Sequence, residues 1–264
     1  MSPDVRGDIP WHLKRFQVRL FEAGPEGRTR LSSLLNYFQE AAGEHAARLG
    51  VSVTDLLPKN LTWVLSRYHV KIWRYPAWME TVELKTWPSA RQDFYALREL
   101  ELRGRSGELL AAATTSWMMV DRTKKKPMPL ADHLPVFAED SRRAVDDRFE
   151  PIPVLAKVDH ELPFQVGIRD LDWNRHVNHV VYIEWAVEST PTYVILDYLP
   201  VDIEVDYRGE AFFGDNVVAR TECLAMGEEP TFLHQVMRKD SGQELARLRT
   251  GWRKMPAEEV KSHV

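Results

Sequence analysis

Residues 106–117 read SGELLAAATTSW and residues 241–252 read SGQELARLRTGW. Ser106, Gly107, Thr115 and Trp117 therefore meet Ser241, Gly242, Thr250 and Trp252 at one offset, 135. The same offset carries Trp78, Glu80 and Val82 onto Phe213, Asp215 and Val217. Upstream, Phe16-Gln17-Val18 recurs as Phe164-Gln165-Val166 at an offset of 148. Ordered self-matches of this kind mean that one supersecondary unit is used twice. A duplicated unit restricts the architecture severely, because whatever the first half builds, the second builds again.

Both copies carry the same pattern. Each opens with a short strand (16–21; 163–168), followed by a loop and a helix. In the first helix Leu31, Leu34, Leu35, Phe38, Ala41, Ala42, His45 and Leu49 form one stripe at helical spacing, and Gly50 is placed to end it. The second, 178–189, is apolar nearly all round, as a helix enclosed by a sheet would be. Tyr68, Val70 and Ile72 then alternate against His69 and Lys71, and Val201, Ile203, Val205 and Tyr207 against Asp202, Glu204 and Asp206. Strands are expected at 82–87, 95–103 and 109–120, and again at 216–224, 231–239 and 244–254. A helix followed by a run of strands is α+β with an antiparallel sheet. The expected fold is a tandem double hotdog, each copy a long helix wrapped by a curved antiparallel sheet. The boundaries are 1–135 for the first copy, 136–157 for a proline-punctuated linker, and 158–264 for the second copy.

Composition excludes several functions. The chain has 264 residues, 44% of them hydrophobic and nine of them Trp, enough for a sizeable core. Its net charge is −4 with scattered cations, which argues against nucleic acid as a partner. No apolar run approaches the ~18 residues of a membrane span. The N-terminal stretch MSPDVRGDIPW reads as neither signal nor transit peptide, and the single cysteine, Cys223, fits a reducing cytoplasm. No G-x-S-x-G, P-loop or G-x-G-x-x-G occurs.

The densest polar cluster is DLDWNRHVNH, 170–179, just before the second helix. Capping accounts for one or two of Asp170, Asp172, Asn174, Arg175, His176, Asn178 and His179, not for all seven. His176 and His179 lie three apart, but no His or Cys pair nearby completes a tetrahedral zinc set, so no metal is expected. Asn174 and His176 place an amide and an imidazole beside a helix start, whose outward N–H groups can hold an oxyanion. The equivalent stretch of the first copy, GPEGRTRLSS (24–33), has lost this chemistry. One working site is expected, in the second copy. The first copy would shape a pocket from Leu34, Leu35, Phe38, Ala41 and Ala42, a stripe that plain core packing also explains. His45 and His69 read as ordinary half-buried histidines.

At DLDWNRHVNHVVYIEWAVES the chain resembles the acyl-acyl carrier protein thioesterases of the plant plastid type and their bacterial relatives. LLNYFQEAAGEHAARLG (34–50), TWVLSRYHVKIWRYPAWMETVELKTW (62–87) and YRGEAFFGDNV (207–217) are similar to further segments of that family. The resemblance implies hydrolysis of acyl-carrier thioesters to free fatty acid, no cofactor, and a catalytic set of Asp172, Asn174, His176 and Glu210. Glu210 is the better base candidate, though the choice between it and His176 stays open. The implied partner is acyl carrier protein bearing its chain on phosphopantetheine, and a homodimer is left open. Arg122, Lys124, Lys125 and Lys126, the densest basic run, are the candidate docking residues, with a solvated linker tip as the plain alternative. Two departures stand out. Ala211 replaces the cysteine that often follows the family's acid, and Trp173 replaces a smaller apolar residue, with altered packing expected there. An acyl-CoA thioesterase and an enoyl-thioester hydratase or dehydratase are the alternative activities.

Overall fold

The structure is a computed structural model, described over residues 10–255. The first nine residues, on which the targeting reading largely rests, lie outside that range. The chain divides into two compact units, one of residues 1–66 and 73–147, the other of 67–72 and 148–264.

In the first unit, β1 (His12–Gln17) is followed by α1 (Leu31–Arg48), a short α2 (Val53–Leu56) and the beginning of β2 (Leu61–Ile72). Then come β3 (Thr81–Gln92), β4 (Tyr95–Arg103), β5 (Leu109–Asp121) and the two-residue β6 (Lys126–Pro127). β3 lies between β1 and β4, and β5 follows β4, every pair antiparallel. α1 turns the expected stripe inward: Leu34, Leu35, Phe38, Ala41 and His45 are buried. It ends as Gly50 predicts. Gly50 takes φ +72° and donates to Ala47, while Val51 donates to Ala46, the paired closure of a Schellman motif.

The second unit runs β7 (His160–Gln165), α3 (His179–Glu188), α4 (Thr192–Asp197), β8 (Tyr198–Tyr207), β9 (Asn216–Ala225), β10 (Thr231–Arg238) and β11 (Glu244–Lys254). Its antiparallel order is β8-β11-β10-β9-β7, with residues 67–71 of β2 on the free side of β8. Two threonines and a serine thread this core. His234 sits between Thr221 and Thr250, each at 2.8 Å, and Ser189 meets Thr221 at 2.6 Å.

The two offsets now have a physical meaning. β1, a 3-10 turn at 20–22 and the start of α1 map onto β7, a turn at 168–170 and the start of α3 at 148. β3, β4 and β5 map onto β9, β10 and β11 at 135. The first unit is longer between helix start and sheet, chiefly because α1 has 18 residues against 10 in α3.

Two expectations are corrected. The opening strands begin earlier than 16 and 163 and stop at 17 and 165. The 3-10 turns that follow are locked by Glu22, which takes the N–H of Arg19 and the hydroxyl of Tyr37, and by Asp170, which takes the N–H of Gly167. His45 and His69 are buried, not half-buried. His45 accepts from Arg98 at 3.0 Å, and His69 meets Asp202 at 2.8 Å. Residues 136–157 form no helix or strand but are firmly held: Ala144 donates to the buried Glu99, beside which Arg143 lies at 2.9 Å, and Arg247 donates to Ile152.

Burial sets the acid limit of this fold. It pushes the pKa of His45 and His234 down to about 3 and that of His179 to about 4. Unfolded histidine titrates near ~6.5, so below that pH the unfolded chain binds protons the fold refuses. Stability is therefore full above about pH 6.5 and falls progressively towards pH 3–4. The melting temperature should drop steadily from about pH 7 to about pH 5, and a level profile across that window would contradict the assignment of neutral buried histidines.

Candidate active site

Asp172 organises the loop before α3. Its backbone N–H donates to His176 O at 2.8 Å, and Arg175 N–H returns to Asp172 O at 3.0 Å. Its carboxylate then accepts the N–H groups of Asn174 (2.7 Å) and His176 (3.3 Å). Leu171 and Val177 close the loop as a bridge. Asn178 caps α3 by accepting from Val180 at 3.0 Å, and Val181 donates to Asn178 O. Those N–H groups are thus engaged by the cap and do not form the oxyanion hole that the sequence suggested.

Val177 N–H donates to Ala211 O at 2.9 Å, which brings the segment after β8 against this loop. The result joins two of the expected residues directly: His176 Nδ1 lies 3.2 Å from Glu210 Oε1, both side chains partly buried. The His176 ring also meets Phe212 edge-on at 5.1 Å. Asn174 stands apart in its bonding. Its side-chain amide makes no hydrogen bond to the described residues, and its Oδ1 is fully buried.

Sequence reasoning missed what holds Glu210. Tyr182, on the buried face of α3, accepts the Ala211 N–H at 2.9 Å, and burial above all raises its phenol pKa. Arg238 donates to Glu210 O at 2.7 Å and pairs with Asp215 at 3.0 Å. A signal for Tyr182 existed: a hydroxyl on a helix apolar all round needs a partner. Nothing local marks Arg238.

The other residues of the cluster point elsewhere. His179 is a neutral packing group between Tyr68 and Tyr207, not a partner of His176. Trp173 does not repack its surroundings; it is 78% exposed. Leu34, Leu35, Phe38 and Ala41 are buried on α1, with Ala42 at the margin. Arg122 and Lys124–Lys126 lie on an exposed turn whose N–H groups at Thr123 and Lys124 are held by Asp121. Among the described residues, one His-carboxylate cluster has ligand atoms within 4.8 Å: His69, Asp202 and Glu204. Lys71 and Arg249 already pair with its two carboxylates, which balances its charge without an ion.

The first unit repeats the frame without the chemistry. Gly24 donates to Arg28 O at 2.7 Å, Gly27 returns to Gly24 O, and Thr29 donates to Pro76 O, matching Asp172, Arg175 and Val177 bond for bond. The left-handed position is Gly27 at φ +68° in one unit and Arg175 at φ +63° in the other. A non-glycine residue there costs about 1 kcal/mol.

Comparison with known proteins gives this frame a family. Residues 11–135 match the acyl-ACP thioesterase N-terminal domain and residues 155–254 the acyl-ACP thioesterase C-terminal domain. The chain belongs to the acyl-ACP thioesterase family. It is 29% identical to oleoyl-acyl carrier protein thioesterase 2 of Arabidopsis thaliana, over 92% of this chain and 77% of that protein. The solved structure of a 12:0-ACP thioesterase from Umbellularia californica is similar at a TM-score of 0.82, with 24% identity over 93% of this chain and 94% of the other. That of an acyl-ACP thioesterase from Bacteroides thetaiotaomicron gives 0.80, with 21% identity over 92% and 98%. Both show that this thioesterase shares their fold.

Tyr182→Phe should leave the Ala211 N–H buried and unmatched. A loss of about 1–3 kcal/mol in denaturant unfolding is expected. A change within a few tenths would mean that this hydrogen bond does not hold the segment.

Proposed function

We propose that this chain hydrolyses acyl-acyl carrier protein thioesters to free fatty acids by direct attack of water, using Asp172, Asn174, His176 and Glu210. Its membership of the family supports the reaction. The observation that carries the mechanism is the 3.2 Å contact of His176 Nδ1 with Glu210 Oε1, formed by the loop that also carries the uncommitted amide of Asn174.

A hydrogen bond from Nδ1–H to the carboxylate fixes the imidazole tautomer and leaves the Nε2 lone pair as proton acceptor, the logic of a base oriented by a third group. In this reading Glu210 acts through His176 and does not itself abstract the proton. Nε2 takes a proton as the water oxygen bonds to the thioester carbon. Asn174 donates to the oxygen that gains charge. When the C–S bond breaks, the proton passes from Nε2 to the leaving sulfur, and the acid is released. Asp172 is a positioning residue, spent on the N–H groups of Asn174 and His176.

No side-chain nucleophile is required. Burial raises the pKa of Cys223, whose thiol donates to Ala225 O at 3.7 Å, and Ala211 offers no thiol beside Glu210. Asn174→Ala, His176→Ala and Glu210→Gln should each lower kcat by ~100-fold or more, the scale of one acid-base or oxyanion contribution. Cys223→Ala should retain activity. A covalent acyl-enzyme trapped in the mass spectrum, or near-normal turnover in Glu210→Gln, would overturn the mechanism.

The repeated element order supports a tandem double hotdog, with the catalytic copy at 158–264 and a selectivity copy at 1–135. Leu34, Leu35, Phe38, Ala41 and Ala42 then form one wall of the acyl pocket. One methylene in an apolar pocket is worth ~1–3 kcal/mol. Phe38→Leu and Ala41→Val should therefore shift the preferred chain length, measured with a ladder of acyl-carrier substrates. The same profile in both variants and the wild type would leave the stripe as core.

A further inference from the structure

We infer that the exposed rim formed by Ile168, Arg169, Trp173, Arg175, Phe212 and Phe213 is the surface on which acyl carrier protein docks. The inference rests on the reading of the chain as an acyl-carrier thioesterase.

These residues rise from two segments laced side by side. Val166 donates to Asp215 O, Gly214 to Val166 O and Val177 to Ala211 O. Ile168 is 77% exposed, Trp173 78% and Phe213 66%, and Phe212 combines exposure with an edge-on contact to the His176 ring. Large apolar groups clustered in solvent mark an interaction surface. Trp173 is also preorganised. Asp172 and Asn174 on either side of it are pinned, so an exposed indole, the side chain most often found as an interface anchor, is held outward before any partner arrives.

Charge names the occupant. Arg169 is almost wholly exposed and only 3.7 Å from Asp170, and Arg175 is exposed with no ion pair among the described residues. The carboxylates beside them are spent inward: Asp170 on Gly167 N–H, Asp172 on Asn174 and His176 N–H, and Asp215 on Phe212 N–H and Arg238. The rim therefore presents cations and aromatic rings beside aspartates already held by these partners, which suits an acidic carrier. Arg175 adds an independent indication. Its left-handed position is glycine in the first unit, where the same turn forms without strain. Strain kept for the sake of a side chain points to a use for that side chain.

The test compares one acyl chain delivered on acyl carrier protein and on pantetheine alone, together with binding of the unacylated holo-carrier. Trp173→Ala and Arg169→Glu should raise KM for the carrier-bound substrate, and the Kd of holo-carrier, about tenfold or more, the scale of a truncated anchor. Hydrolysis of the pantetheine thioester should stay unchanged. Arg175→Gly should weaken carrier binding while the melting temperature holds or rises, which a merely structural arginine would not show. Reversal of Lys124, Lys125 and Lys126 is the comparison and should change neither constant. Equal effects on both substrates, no effect on holo-carrier binding, or an effect confined to the lysine reversal would overturn the docking assignment. So would a self-association that Trp173→Ala abolishes. Absence of hydrolysis of any thioester by the wild type, with holo-carrier still bound at this rim, would instead overturn the catalytic reading alone.

Discussion

The arrangement proposed for catalysis depends on one backbone hydrogen bond, Val177 N–H to Ala211 O. It brings together a helix-start loop and a strand-end segment separated by more than thirty positions in sequence, and so makes His176 and Glu210 neighbours. The same bond occurs between Thr29 and Pro76 in the first unit, where Arg28 and Tyr75 stand at the positions of His176 and Glu210. There Arg28 donates to Tyr75 O at 3.0 Å, so the frame persists as pure structure. The duplicated element is thus a backbone scaffold, and reactivity is a matter of which side chains are hung on it.

Strands and helices with strong periodicity could be read from the sequence closely: β4 and β11 fall at 95–103 and 244–254 as expected, and α1 and α3 within a residue or two. Their positions depend on local alternation and local stops such as Gly50. The misplaced opening strands show where that logic fails. Glu22 draws its hydroxyl from Tyr37 on α1, a contact that no local pattern announces. Asp172, Asn174, His176 and Glu210 were singled out because they carry a family's spacing, and composition alone would have left Glu210 as an exposed strand-end acid. Tyr182 and Arg238 went unseen because their roles are to hold a backbone that only the folded sheet brings near. Trp173 was misjudged because an indole in an apolar position suggests packing, whereas the tight turn around Asp172 faces it outward.

Holding an imidazole and a carboxylate together at a partly buried position carries a general constraint. Glu210 Oε1 lies 3.2 Å from His176 Nδ1, while Arg238 and Tyr182 hold the peptide groups around it. Preorganisation of this kind lets the reacting groups avoid rearrangement during the reaction. It also explains why the supporting residues are spread over α3 and β10: a loop cannot hold itself rigid, and the sheet and helix do so for it.

The anchored segment between the units has a consequence for dissecting the protein. Ala144 donates to the fully buried Glu99, beside which Arg143 lies, whereas Ile152 receives Arg247 and Ala156 donates to Glu222. Each stretch is a missing piece of a different core. A gene cut upstream of 143 would leave the first half with a buried carboxylate short of donors, and one downstream of 156 would take two acceptor-donor contacts from the second. A cut near 147 and 148 spares both sets of contacts, yet it still takes residues 67–72 of β2, which pair with β8, away from the second unit.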